Sequence, residues 1–188
     1  MSYKRLTDRF VECGHLYNKT DDIYYLMEEN SLMHFFECET KDIYENVIRA
    51  ASNKGFKRVF DIGCAFGHQS EAFLNFGGLE YVGIDDSIPK GYAWNNKVYE
   101  YILGTYPFEM KTETTDIAVS VLCLGWNCYL YEGDETLKAQ IEALARDFGS
   151  AILYIPKGIV DFILSYYSFA EKIGDGLYFF TNKTEKED

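Results

Sequence analysis

Two glycines and two acids stand where a nucleotide-like ligand could be held. Gly63 and Gly67 bracket a short turn that directly follows the apolar segment ending in Asp61 and Ile62. Glycine permits a tight turn and a close backbone approach, and we expect the N–H groups of this turn and of the helix start to face outward as donors. Asp85 ends the next apolar segment, 24 residues after Asp61, at a spacing where a carboxylate accepts the hydroxyls of a ribose. The pattern predicts a site for an adenosine-type cofactor.

A β-α-β unit has to position these residues. Val59–Ile62 and Tyr81–Ile84 are apolar runs that predict two strands, and the short helix between them ends at Gly77-Gly78. The predicted buried face of that helix carries three apolar residues: Ala72, Phe73 and Phe76. A connection of this length joins parallel strands through a right-handed crossover. The carboxyl ends of both strands then meet at one edge of the sheet, where such folds bind their ligands.

The rest of the chain alternates between helical and strand patterns. Four more strands are predicted at Tyr99–Leu103, Thr115–Leu124, Ala151–Ile155 and Leu177–Thr181. Helices are predicted from Asp42 to Ala51, from Asp134 to Phe148 and from Ile159 to Phe169. This alternation predicts an α/β fold with a doubly wound, mostly parallel sheet of six to seven strands, helices on both faces and an N-terminal helical cap.

Length and composition favour a single domain. A chain of 188 residues with 47% hydrophobic content can bury one core of ordinary size. Within it we predict an N-terminal helical cap (1–55), a cofactor-binding core (56–157), a C-terminal helix and strand (158–182) and a charged tail (183–188).

Charge and residue usage restrict the partners. The net charge of −12 disfavours nucleic acid, because Lys and Arg supply most of the attraction to phosphates. No apolar run reaches the length of a signal peptide or a membrane span, so we expect a soluble cytoplasmic protein without membrane contact. The five cysteines form no C-x-x-C pair, and neither a disulfide framework nor a metal site is predicted. The oligomeric state stays open.

The glycine turn does not fit two other nucleotide-binding loops. A dinucleotide fingerprint, G-x-G-x-x-G, read from Gly63 fails at its second and third glycines. The acid ahead of the glycines would also repel a pyrophosphate, whereas it suits a sulfonium amino acid. A Walker phosphate loop is absent from the sequence, since no G-K-[ST] follows a glycine run.

These residues resemble the motifs of class I, Rossmann-like S-adenosylmethionine-dependent methyltransferases. The first motif of that family, D-x-G-x-G-x-G, is matched by Asp61, Gly63 and Gly67, with Ala65 at the middle glycine. Its second motif, an acid that ends strand two, is matched by Asp85 in VGIDDS. The resemblance covers roughly residues 57–157, just over half of the chain.

Two further motifs complete the comparison. The fourth motif of the family, an aspartate that opens strand four, is matched by Asp116. The acid often found after strand three is missing, and Gly104-Thr105 occupy that turn, so Thr105, Tyr106 or backbone groups would recognise adenine. Family members have seven strands ending in an antiparallel pair, while six are counted in this sequence.

The resemblance implies that S-adenosylmethionine is the cofactor and that its methyl group passes to a small or medium-sized acceptor. The residues implied to bind the cofactor are Asp61, Gly63, Cys64, Ala65, Gly67, Asp85, Asp86, Ser87 and Thr105. A small-molecule acceptor is expected beside Trp126 and Asn127, which follow strand four. His68 and His34 are the candidates for a catalytic base, which some acceptors do not require.

Methyltransferase subfamilies that act on nucleic acid fit less well. Lys157 ends strand five as in the Lys-Asp-Lys-Glu ribose enzymes, yet no aspartate follows strand four. The acid-Pro-Pro-aromatic motif of DNA amino-methyltransferases is replaced by Cys123-Leu124-Gly125-Trp126. The alternative from another class is a non-catalytic, cofactor-binding or scaffold relative, suggested by Ala65, the missing acid and a short C-terminal edge.

Overall fold

The computed structural model describes residues 40–65, 67, 69–85, 99–124 and 134–182. The predicted N-terminal cap therefore lies outside the described residues up to position 39, and so does the predicted tail from position 183. The predicted division into cap, core, C-terminal part and tail stays a prediction.

Strands and helices alternate along the described chain. The helices are α1 (Lys41–Asn53), α2 (Ser70–Gly77), α3 (Asp134–Asp147) and α4 (Val160–Ile163), the last preceded by a 3-10 turn at Lys157–Ile159. The strands are β1 (Arg58–Ile62), β2 (Glu80–Asp85), β3 (Tyr99–Leu103), β4 (Asp116–Val121), β5 (Ser150–Tyr154), β6 (Phe169–Gly174) and β7 (Leu177–Thr181). Within the described ranges, no helix has the length and apolar character needed to cross a membrane.

All seven strands form one sheet in the order β3-β2-β1-β4-β5-β7-β6. The first five strands pair in parallel, and β7 pairs antiparallel with both β5 and β6. The predicted α/β fold with a doubly wound, mostly parallel sheet is confirmed. The order reverses at β1, which lies between β2 and β4, so the switch point of the sheet falls at the glycine turn.

The C-terminal edge differs from the sequence prediction. The predicted helix from Ile159 to Phe169 is wrong beyond its first turns, since α4 ends at Ile163 and β6 begins at Phe169. Within the described residues the sheet therefore has seven strands, and it ends in the antiparallel pair β7-β6. β6 was missed because it is an edge strand without a fully buried residue, and its sequence, FAEKIG, has no apolar run.

Helices cover the sheet on both faces, as predicted. Alternate strand residues such as Val59 and Ile117 pack on α1 and α2, while Phe60 and Ala118 pack on α3 and α4. The buried face of α1 carries Tyr44, Val47, Ile48 and Ala51 at helical spacing. In α2 the predicted Ala72 and Phe73 are buried, whereas Phe76 is 57% exposed in the last turn.

Candidate functional site

The ends of β1 and β2 lie side by side at the carboxyl edge of the sheet. Ile62 pairs with Ile84, one residue before Asp85, and Asp85 in turn pairs with Leu103 at the end of β3. The glycine turn leaves β1 at this edge and leads into α2. The parallel register thus places the turn directly beside the carboxylate that ends β2.

In the described part of the glycine turn, backbone N–H groups point into the protein. The amides of Gly63 and Cys64 both donate to the carbonyl of Ile84, at 2.8 and 3.2 Å. The amide of Gly67 donates to the Cys64 carbonyl at 2.9 Å. Our expectation that the N–H groups of this turn face outward is wrong for these residues, because the left-handed backbone folds the turn onto the end of β2. A phosphate would find none of these donors available.

Asp85 is held in place by the turn. Its Oδ2 accepts a hydrogen bond from the Ala65 amide at 2.9 Å, and the residue is 9% exposed. A carboxylate fixed by a backbone donor at the rim of a site is pre-organised to accept hydrogen bonds from a ligand. Its predicted role as the ribose acceptor remains a prediction, and this position suits it.

Ala65 occupies a conformation that favours glycine. Its φ of 53° lies in the left-handed region, as do those of Gly63 and Gly67 at 77° and 65°. This explains why the resembling family has glycine at the position of Ala65. Among the described residues, the other non-glycine residue with positive φ is Leu122, after β4. Both outliers lie at the same edge of the sheet, and backbone strain of this kind concentrates at functional sites.

Ala65→Gly is expected to raise the free energy of unfolding by about 0.5 to 1 kcal/mol. Relief of the left-handed alanine contributes roughly 1–2 kcal/mol, and the greater freedom of glycine in the unfolded chain offsets part of it. Urea denaturation of the wild type and the variant measures the change. The matched control is Ala51→Gly in the buried face of α1, where the same substitution should destabilise the protein. A loss of stability in Ala65→Gly would contradict the assigned conformation.

Asp61 lies near the end of β1 with its carboxylate fully buried. Its Oδ2 accepts hydrogen bonds from Gln69 Nε2 at 2.5 Å, from the Tyr81 hydroxyl at 2.6 Å and from the Tyr44 hydroxyl at 3.2 Å. Within the described part of the chain, its Oδ1 has no hydrogen-bond partner, and the same holds for Gln69 Oε1 and Ser70 Oγ. Since Asp61 exposes no surface, its predicted part in cofactor binding would be indirect, through the turn above it.

Burial dominates the acidity of this network. It raises the pKa of Asp61 to about 6, against hydrogen bonds from Tyr81, Gln69 and Tyr44 that lower it, and the charge of Asp85 adds to the increase. Burial and the charge of Asp61 raise the pKa of Tyr81 well above its usual value. The pKa of Cys64 is likewise raised by burial and by both aspartates. Cys64 is therefore a neutral, buried thiol, and only its backbone lines the turn.

The end of β4 packs against the turn. Ser120 Oγ donates to the Ile62 carbonyl at 2.9 Å and accepts from the Leu124 amide at 3.0 Å. Cys123 lies so close to Gly63 that a Cβ at that glycine would overlap the side chain of Cys123. The chain that leaves β4 towards position 125 is thereby held beside the glycine turn.

The structure places other predicted residues as follows. Thr105 is exposed just beyond β3, while Tyr106 is buried and donates its hydroxyl to Asp147 at 3.1 Å, so its ring does not face the site edge. Asp116 is at the amino end of β4, where it forms a bidentate ion pair with Arg58. Six predicted site residues lie outside the described residues: His34, His68, Asp86, Ser87, Trp126 and Asn127.

Sequence reasoning missed the partners of Asp61. Tyr44 is 17 residues before Asp61 and Tyr81 is 20 residues after it, so only the fold brings them together. One sequence feature could have indicated them: Tyr44 lies on the apolar face of α1, and a buried tyrosine hydroxyl requires a polar partner. Among the described residues, no group of three His, Cys, Asp or Glu side chains is placed to hold a metal ion.

Several solved structures are similar to this protein over most of its length. The Pyrococcus horikoshii protein PH1948, named as a candidate RNA methyltransferase, matches with a TM-score of 0.54 and 12% identity, over 94% of this chain and 98% of its own. The match thus spans nearly the whole of both chains, and the sheet of this protein has the seven strands with a final antiparallel pair that the resemblance implies. The chain has the class I methyltransferase fold.

Two other structures are similar at comparable levels. WbdD, solved with the kinase inhibitor LY294002, matches with a TM-score of 0.52 and 18% identity, over 82% of this chain and 42% of WbdD. Thermoplasma acidophilum protein 1320 matches with a TM-score of 0.53 and 10% identity, over 83% of this chain and 97% of its own. The chain thus spans less than half of WbdD. No protein-family model matches the sequence, and no curated protein matches it.

Proposed function

We propose that the protein binds S-adenosylmethionine at the glycine turn and Asp85, and transfers its methyl group to a small-molecule acceptor. The observation that carries this proposal is the polarity of the site. The described turn amides are used inside the protein, the Asp85 carboxylate ends β2 at the edge of the site, and the buried Asp61 carboxylate lies beneath the turn. A site rich in acceptors suits a sulfonium cation and a ribose diol, and it disfavours a pyrophosphate.

The described residues fit the cofactor in two further ways. Gly63 and Gly67 have positive φ and present backbone without side chains at the edge where ligands bind. Asp85 stands beside them, fixed by the Ala65 amide, at the position where a ribose would need an acceptor. S-adenosylmethionine supplies an already activated methyl group, so the chain needs chiefly to align an acceptor with it.

The acceptor would enter beside the end of β4. Ser120 and Cys123 lie against the glycine turn at this end of β4, and we place the acceptor pocket beside them. The predicted roles of Trp126 and Asn127 there, and of His68 or His34 as a base, form part of the proposal. The net charge of −12 favours a small acceptor over nucleic acid.

The alternative is that the protein is a non-catalytic relative. The geometry weakens two of the three observations that suggested this alternative. Ala65 adopts the left-handed conformation of a glycine, so it does not disrupt the turn. The C-terminal edge holds both strands of the antiparallel pair, β7 and β6. The absence of an acid after β3 still favours it, because Gly104-Thr105 offer no carboxylate for adenosine.

Calorimetry with S-adenosylmethionine and S-adenosylhomocysteine tests the cofactor. We expect binding to the wild type and a loss of roughly 10- to 100-fold in affinity in Asp85→Ala, as for removal of a charged hydrogen-bond acceptor. Asp85→Asn keeps an acceptor for the Ala65 amide but loses the charge, so it should bind with intermediate affinity. The matched control is Asp175→Ala, in the exposed turn between β6 and β7.

Three results would decide between the candidate functions. Absence of binding to both ligands at millimolar concentration would refute the proposal. Unchanged binding in Asp85→Ala would refute the ribose assignment. If the cofactor binds, transfer of a labelled methyl group to a library of small acceptors supports the enzyme, and no transfer to any acceptor supports the non-catalytic alternative.

A further inference from the structure

We propose that Gln69 is a positioning residue for the cofactor: its amide ties the buried Asp61 carboxylate to the glycine turn, and protonation of Asp61 releases that tie. The inference rests on the proposed function, because the turn is positioned for the cofactor named there. It assigns to Gln69, a residue outside the resembling family's motif, the control of cofactor affinity by pH.

Gln69 is the centre of a buried cluster of oxygen atoms. Its Nε2 lies within hydrogen-bond distance of four of them: Asp61 Oδ2 at 2.5 Å, the Tyr81 hydroxyl at 2.9 Å, the Cys64 carbonyl at 3.1 Å and the Tyr44 hydroxyl at 3.2 Å. A primary amide has two N–H donors, and both hydroxyls can donate to Asp61 themselves. The amide therefore serves the two groups that cannot donate, the carboxylate and the Cys64 carbonyl.

The Cys64 carbonyl connects this cluster to the turn. It accepts from the Gly67 amide as well as from Gln69, so one carbonyl oxygen receives donors from the turn and from the start of α2. Ala65, the next residue, donates its amide to Asp85. A displacement of the Cys64 carbonyl would thus shift the backbone that fixes the carboxylate expected to hold the ribose.

The orientation of the Gln69 amide depends on the charge of Asp61. With Asp61 ionised, the N–H side must face it, since two facing acceptors repel each other, and Gln69 Oε1 then has no partner among the described residues. When Asp61 takes up a proton from solvent, its O–H can donate to Gln69 Oε1 once the amide turns over. The turned amide presents an oxygen to the Cys64 carbonyl, and the tie to the turn is lost.

Titratable groups surround Asp61 on several elements. Tyr44 of α1 and Tyr81 of β2 donate to it, Asp85 of β2 adds negative charge, and Cys64 lies in the turn. Burial raises the pKa of Asp61 to about 6, while the pKa values of Tyr81 and Cys64 are raised away from neutrality. Cofactor affinity is therefore expected to fall as the pH drops through about 6.

The test compares binding of S-adenosylhomocysteine to the wild type, Gln69→Leu and Gln69→Glu from about pH 5.5 to 7.5. Gln69→Leu removes the donors, and its dissociation constant should be about tenfold higher at the upper pH, as for one charged hydrogen bond. Gln69→Glu places two carboxylates together, which share one proton as the pH falls and so regain a donor. The ratio of the dissociation constant of Gln69→Glu to that of the wild type should approach one at the lower pH.

Two controls separate positioning from general destabilisation. Gln140→Leu removes another buried glutamine, on α3 across the sheet, and should leave binding and its pH response unchanged. Histidines ordinarily titrate in this pH range as well, so the pH response of binding must persist in His68→Asn, whatever that substitution does to the affinity itself. The inference would be overturned if the ratio of the dissociation constants of Gln69→Glu and the wild type did not change with pH.

If the wild type binds no cofactor, that result refutes the proposed function alone. Hydrogen exchange in the ligand-free protein then tests the role of Gln69. At constant pH, the amides of Gly63, Cys64, Ala65 and Gly67 should exchange several-fold faster in Gln69→Leu than in the wild type, while β5 and β7 stay equally protected. Equal exchange of the turn in both proteins would overturn the role of Gln69 itself.

Discussion

Gly63→Ala is expected to lower the free energy of unfolding by roughly 2 to 5 kcal/mol and to weaken cofactor binding. The new Cβ would stand closer than 3.0 Å to both Cβ and Sγ of Cys123, a separation that requires the backbone to move. Overpacking of this kind costs about 1–3 kcal/mol, and an alanine at a φ of 77° adds about 1–2 kcal/mol. The backbone that moves is the glycine turn itself.

Variants at Cys123 separate the two contributions. Cys123→Ala keeps the clashing Cβ and should not restore the stability of Gly63→Ala, whereas Cys123→Gly removes both clashing atoms and should restore about 1–3 kcal/mol. Gly149→Ala is the control, because no atom of the described chain lies within 4 Å of a Cβ built at that glycine. Urea denaturation gives the free energies. Equal stability of Gly63→Ala and Gly149→Ala would contradict the packing of β4 on the turn.

The buried strands could be predicted from sequence because their side-chain patterns are local. β4 is buried throughout, and four of the six residues in DIAVSV are apolar, as burial on both faces favours. β6 could not be found in this way, since it is held to β7 by backbone pairing with a register shift between Lys172 and Gly174. Backbone hydrogen bonds between distant residues carry no sequence pattern.

The site, like the fold, has some features that local sequence patterns predict and others that depend on tertiary contacts. The positive φ of Gly63 and Gly67 was foreseeable, because few other residues adopt that backbone readily. The direction of the turn amides was not, since it depends on how the turn folds against Ile84. The contact of Asp61 with Tyr44 depends on how α1 packs on the sheet, and its contact with Tyr81 depends on the pairing of β1 with β2. Motif spacing therefore locates the site, and the tertiary contacts determine which groups face the ligand.

Asp61→Asn is expected to remove a dependence of stability on pH. The folded protein holds the pKa of Asp61 at about 6, above a value of about 3.9 for an unfolded chain, so the folded state binds the proton more tightly. This group therefore contributes stability at low pH that is lost as the pH rises through about 6. A shift of roughly two pKa units at about 1.36 kcal/mol each predicts a loss of about 2 kcal/mol between about pH 4.5 and 7.5.

The measurement is the difference in free energy of unfolding between the wild type and Asp61→Asn at both pH values. Taking the difference cancels the pH dependence of stability that both proteins share. The wild type should lose about 2 kcal/mol relative to the variant as the pH rises, since asparagine does not titrate. Because the substituted side chain cannot ionise, the variant should also bind S-adenosylhomocysteine with an affinity that no longer falls below about pH 6. A constant difference in stability across this range would show that Asp61 is not a buried carboxylate of raised pKa, and the charge-dependent tie through Gln69 would fail with it.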